Sequence, residues 1–178
     1  MFTPEKILID GTEHKVSSLV NWRGNESYYE IRIGKQLTPM FLPPRMFFLI
    51  GCLALLRDRP SGISFETEEQ LGFVHRDQLS LSKSTMNNYV YCTRIEVRKQ
   101  ARQMSRDDRI SSSECYDLLS WPVIESGAAF GLESYWRLAA PPESVVINPQ
   151  KISTFPDLVF QNLVNGYIGR RQLPTRYP

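Results

Sequence analysis

The chain is expected to adopt an α+β fold, with an antiparallel β-sheet at its start and a C-terminal β-hairpin at about 122–138. Three features predict this. Short extended stretches separated by turn signals fill the span of about 5–36. A long stretch over 83–104 has helical hydrophobic periodicity, and two more extended stretches flank Gly127 and Gly131.

Each element follows from local chemistry. Lys6-Ile-Leu-Ile-Asp-Gly11 ends on a turn signal, and His14–Trp22 is apolar and partly β-branched. Arg23-Gly24-Asn25 suits a reverse turn, and Tyr28–Ile33 alternates with period two. A three-stranded meander is the expectation. Pro43-Pro44 opens a helix over 43–57, since proline is tolerated in a first turn. That helix is apolar almost all round, as a buried central helix is. Thr67 and Gln70 match a capping box and predict a short second helix over 66–73.

The third helix, 83–104, carries the clearest pattern. At about 100° per residue, Met86, Val90, Thr93, Val97, Ala101 and Met104 fall within roughly an 80° arc. Asn87, Asn88, Tyr91, Arg98, Lys99 and Arg102 lie on the opposite side, with Arg94 flanking. Ser84 or Ser82 suits the N-cap. Residues 105–121 read as a polar, weakly helical insertion. Pro122–Glu125 and Ser134–Leu138 then form the hairpin, and Pro141-Pro142 closes a domain over 1–140. Residues 141–178 are expected to be an appendage with a short helix around Pro156–Asn165. Its apolar run, Leu158 to Val164, would dock onto a partner protein or onto the domain itself.

Bulk composition sets the class. With 178 residues, 42% hydrophobic and 22% charged, the chain can bury a proper core. Cys52, Cys92 and Cys115 are scattered, which fits free thiols in a reducing compartment. The start of the chain lacks a signal-like apolar core, and the most apolar run, Met46–Leu56, is too short for a bilayer. A cytoplasmic protein without membrane contact is expected.

Charge points to function. Residues 83–109 hold seven Lys/Arg against three Asp/Glu, a surplus of +4 in a chain whose total is +2. The rest of the chain is therefore slightly acidic. Cations gathered on one face of one helix suit a polyanion, with DNA the leading candidate.

The order of sheet, buried helix, short helix, basic helix and hairpin resembles a winged helix-turn-helix domain. It is most similar to the OmpR-like effector domain of bacterial response regulators, here without a receiver domain. The echoes are Leu37-Thr-Pro39, Ser64–Leu71, the basic helix, and Val123-Ile-Glu through Gly131 to Tyr135-Trp-Arg-Leu138. The resemblance implies a third helix in the major groove of duplex DNA and a wing on the backbone. It also implies a bacterial or phage transcriptional regulator that acts as a homodimer.

On that expectation Asn87 and Asn88 would pair with adenine, and Tyr91 would reach a phosphate or a thymine methyl. Arg98 would contact guanine or phosphate. Arg94, Lys99 and Arg102 would hold phosphates, as would Lys83 and Ser84 at the helix start and Arg137 in the wing. Ile95, on the polar side, would either touch a thymine methyl or pack under the insertion. Trp136 reads as core.

Rival readings start from the same residues. A protein-interaction module can use this fold without nucleic acid. A small hydrolase or nuclease is more distant: Ser80-Leu-Ser-Lys83 matches S-x-x-K without a companion motif, and His14 and His75 are isolated. Asp107-Asp108 reads as a helix terminus. No catalytic residue, cofactor or metal is expected.

Overall fold

Two sheets and five α-helices are built from residues 2–15, 27–60 and 70–172, which are the residues described by the computed structural model. β1 (Ile7–Lys15), β2 (Ser27–Ile33) and β3 (Thr38–Leu42) pair antiparallel in sequence order. Their inward residues Ile7, Ile9, Ile31, Met40 and Leu42 are fully buried, as period-two alternation requires. The expected strand at His14–Trp22 is only partly in view. His14 and Lys15 end β1, and 16–22 lies outside the described residues. The third strand is instead Thr38–Leu42, where the sequence reading has only the approach to the first helix. Pro39 is tolerated there because β3 is an edge strand.

That edge is closed by a side chain. Gln100 accepts from the Phe41 backbone N–H at 2.9 Å and donates to the Phe41 carbonyl. Both backbone groups of Phe41 are thereby satisfied, which blunts an edge open to further strand pairing.

α1 (Pro44–Leu55) runs as expected, with Pro44 in its first turn and Met46 through Leu55 buried. The expected second helix over 66–73 is described only from Gln70, which has 3-10 geometry. Leu71–Gly72 is a turn, Gly72 has φ of +84°, and Val74–His75 is a short strand, β4. The remainder, 66–69, lies outside the described residues. A separate 3-10 turn follows over Arg76–Leu79. His75 caps it by accepting the Asp77 N–H at Nδ1, while Gln78 accepts the His75 N–H. Ser80, with φ of 57°, then redirects the chain.

α2 (Lys83–Arg106) starts at Ser82, whose hydroxyl accepts the Thr85 N–H. All six apolar-arc residues, Met86, Val90, Thr93, Val97, Ala101 and Met104, are buried. The expected insertion contains a regular helix, α3 (Ser112–Ser120), which packs on α2. β5 (Ile124–Ser126) and β6 (Tyr135–Leu138) form the expected hairpin, and β4 pairs with β6 on its other side. The sheet order is β4-β6-β5. No helix among the described residues is long and apolar enough to cross a membrane.

The C-terminal stretch is not an appendage. β7 (Val145–Ile147) pairs parallel with β1, matching Ile7 to Val145, Leu8 to Val146 and Ile9 to Ile147. α4 (Pro149–Ile152) sits against β1, and α5 (Leu158–Gln172) lies along α1. Of the two docking partners expected for the apolar run, the domain itself is the one seen. Phe155 and Phe160 join Tyr29 and Phe47 in one aromatic cluster.

The β1 register shifts between Ile9 and Glu13, where Gly11 has φ of +80°. A Cβ there would lie 2.6 Å from Ile152 Cγ2. Gly11→Val combines a left-handed backbone with a clash against α4, and should destabilise by about 3 kcal/mol. Chemical denaturation measures this directly; a change under 1 kcal/mol would mean that α4 is free to move away.

Candidate nucleic-acid interface

α2 contains one acidic residue, Glu96, and that residue is buried. The solvent side of the helix is therefore free of carboxylates. Lys83, Ser84, Asn87, Asn88, Tyr91, Ile95, Lys99 and Arg102 are all exposed on it. Ser82 begins the helix cleanly, and the buried arc turns this side outward. Tyr91 is 64% exposed and Ile95 44% exposed. Ile95 thus does not pack under the insertion. Lys99 reaches Glu96 at 3.8 Å, one turn away.

Three of the expected contact residues have other surroundings. Arg94 turns away from solvent and donates from Nε to the Pro122 carbonyl at 2.9 Å and from Nη2 to the Ile124 carbonyl. Burial lowers its pKa, and the neighbouring Arg98 lowers it further. Arg94 is a strut that ties α2 to the entry of the hairpin, because carbonyls on the outer side of β5 need donors.

Arg137 is likewise internal, at 9% exposure. Its Nε donates to Glu125 Oε2 at 2.7 Å, its Nη1 to the Leu71 carbonyl at 3.2 Å, and its guanidinium stacks 4.2 Å from the Phe73 ring centroid. It was expected on a phosphate; it organises the base of the wing instead. It is also the sole Lys or Arg between 122 and 138, so the wing presents no cationic side chain to a backbone. The exposed wing tip is Ala128, Ala129, Phe130 and Gly131, followed by Glu133.

Arg98 is half-buried beside Arg94, and its Nε is buried without a hydrogen-bond partner. Periodicity places it on the polar side with Asn87 and Lys99, not in this crowded position. Its neighbour Arg94 is held there by the Pro122 and Ile124 carbonyls.

Arg76 was missed altogether. It lies in the 3-10 turn, and its backbone N–H donates to the Ser134 carbonyl, joining that turn to the wing. With Lys83, Asn87, Ser134 and Trp136 it lines a crevice between the turn, the start of α2 and the hairpin. Trp136 is half-buried there rather than fully core. The cue available in sequence was a cation placed shortly before an N-cap serine, but its meaning depends on a turn that periodicity does not reveal.

Residues of the hydrolase alternative serve the fold. Ser80 and Ser82 are the end of the turn and the N-cap of α2, and His75 caps the turn. Asp107 is the C-cap of α2, and Gln103 donates to its carboxylate. Comparison with known families, curated proteins and solved structures finds no match to this chain.

Proposed function

We propose that this protein binds double-stranded DNA through the exposed side of α2, as a winged helix-turn-helix regulator of the bacterial or phage kind. The observation that carries the reading is the carboxylate-free solvent side of α2, where amides, an aromatic hydroxyl and cations alternate over 83–106. Amides can read adenine edges in the major groove, and the cations meet phosphates. The short turn at Arg76–Leu79 before α2, and the hairpin after it, support the helix-turn-helix order. The wing would touch DNA through backbone groups, since Arg137 is engaged elsewhere. Homodimerisation forms part of the proposal, because one module gives limited affinity and site length.

One observation favours a second reading, a protein-interaction module: Tyr91 and Ile95, one turn apart, put apolar surface on the same side. Salt separates the two. With about four phosphate contacts, duplex affinity should fall on the order of a hundredfold between 50 and 200 mM salt. A hydrophobic interface would change little.

Gel shifts on genomic fragments with wild type and Asn87→Ala/Asn88→Ala test the proposal. The expected result is binding by wild type and a loss of sequence preference in the variant, about 1–3 kcal/mol per amide pair. Absence of any duplex complex at 50 mM salt would sink it.

A further inference from the structure

Among the described residues, the buried side-chain polar atoms lacking a partner are two guanidinium nitrogens, Arg76 Nε and Arg98 Nε. Buried donors are normally satisfied, so each such case calls for a ligand or a water. Both belong to cations that border the exposed side of α2. Among the described residues Arg98 forms no ion pair, and it stands beside another cation, Arg94. Arg76 uses Nη1 on the Leu81 carbonyl and on Asp77, and it lines the crevice that it shares with Lys83 and Asn87.

The two positions are related by the helix. Asn87, which shares the crevice with Arg76, and Arg98 are separated by about 16 Å along the α2 axis and by only about 20° around it. Both cations therefore flank the wing side of the helix, one near its start and one near its middle. The distance exceeds the roughly 12 Å width of the major groove.

We infer that Arg76 and Arg98 are two phosphate clamps that frame the DNA-contacting half of α2. This rests on the duplex-DNA reading above and deepens it. A backbone phosphate supplies Arg98 with a negative charge that no described residue gives it, and supplies Arg76 with acceptor oxygens beyond the Leu81 carbonyl and Asp77 that it already uses, in the bidentate form that suits arginine. Ser84 to Ile95 then lies between the clamps as the stretch that faces base edges. Arg94 acts through Arg98: fixed on the Pro122 and Ile124 carbonyls, it adds a second positive charge beside Arg98 and so favours an external anion there. Glu133, in the Arg76 crevice, opposes the phosphate there.

The test is fluorescence anisotropy of the full chain with a mixed-sequence duplex spanning two helical turns, titrated from 50 to 200 mM salt. Arg76→Gln and Arg98→Gln should each reduce the slope of log K against log salt by about 0.9, and the double variant by about twice that. Arg76→Lys and Arg98→Lys should keep most of the slope. Glu133→Gln should tighten binding a few-fold, and Arg45→Gln, an exposed cation on α1, should match wild type. Thermal melts of each variant exclude loss of folding as the cause. Wild-type slopes in both glutamine variants would overturn the clamps while leaving DNA binding intact. Failure of wild type itself to bind would overturn the reading beneath them.

Discussion

A chain ending at Ala140 is expected to lose its cooperative thermal transition. Cutting there removes β7 from the edge of β1 and takes away Phe155, Phe160, Val164 and Tyr167, all of them buried. Phe160 is fully buried against α1, where Gly51 leaves it room: a Cβ at position 51 would lie 2.4 Å from its ring. Truncating one buried Phe to Ala costs about 3–5 kcal/mol. Losing four large side chains together therefore exceeds the roughly 5–15 kcal/mol by which a domain is stable. The milder form of the test is Phe160→Ala, expected to lower Tm by roughly 10 °C at 2–4 °C per kcal/mol. Circular dichroism melts of both proteins check this. A truncated chain that melts cooperatively within a few degrees of full length would restore the picture of a separate appendage.

Arg57→Met should be nearly as damaging, although it replaces a charge with an apolar side chain of similar length. Arg57 is 7% exposed and donates from Nε to the Ala140 carbonyl at 2.7 Å and from Nη1 to the Leu71 carbonyl at 2.6 Å. Burial, with Arg137 nearby, lowers its pKa to about 10, so it remains a cation at neutral pH. It joins the end of α1 to the turn before β4 and to the end of the hairpin. Removing it leaves the Ala140 carbonyl without this donor and the Leu71 carbonyl dependent on Arg137 alone. At about 1–3 kcal/mol for each buried group left short, the expected loss is about 3 kcal/mol. Arg57→Lys should not restore it, because one ammonium cannot reproduce the fork. Urea denaturation measures the loss, and a change below 1 kcal/mol for Arg57→Met would show that water replaces both bonds.

Much of the fold is legible in the chain. The apolar arc of α2 gives both its extent and its buried side, because a helix repeats its contacts every three to four residues and needs no distant information. The proline start of α1 and the glycine-bearing hairpin are local in the same sense. β3 is obscured by Pro39, which reads as a break until its strand is known to be an edge. The turn at Arg76–Leu79 is hidden because it is capped by a histidine, outside the usual Ser/Thr/Asp/Asn set.

The candidate interface divides along the same line. Which residues lie opposite the buried arc of α2 is set by helix geometry, so Ser84, Asn87, Asn88, Tyr91, Lys99 and Arg102 are exposed as periodicity predicts. Which cations are available for a ligand is decided by what packs beside them. Arg94 and Arg137 are drawn inward by carbonyls of Pro122, Ile124 and Leu71 and by Glu125, residues up to 66 positions away. Arg76 gains its place from a wing strand that lies nearly sixty residues further along the chain. The α+β class, the basic helix and its outward side are legible in the chain, because each depends on spacing within single segments. Only the tertiary structure shows that Ile152, Phe155, Phe160, Val164 and Tyr167 belong to the core and which guanidinium nitrogens are left without partners, because a guanidinium is satisfied by whatever acceptors the folded chain brings to it.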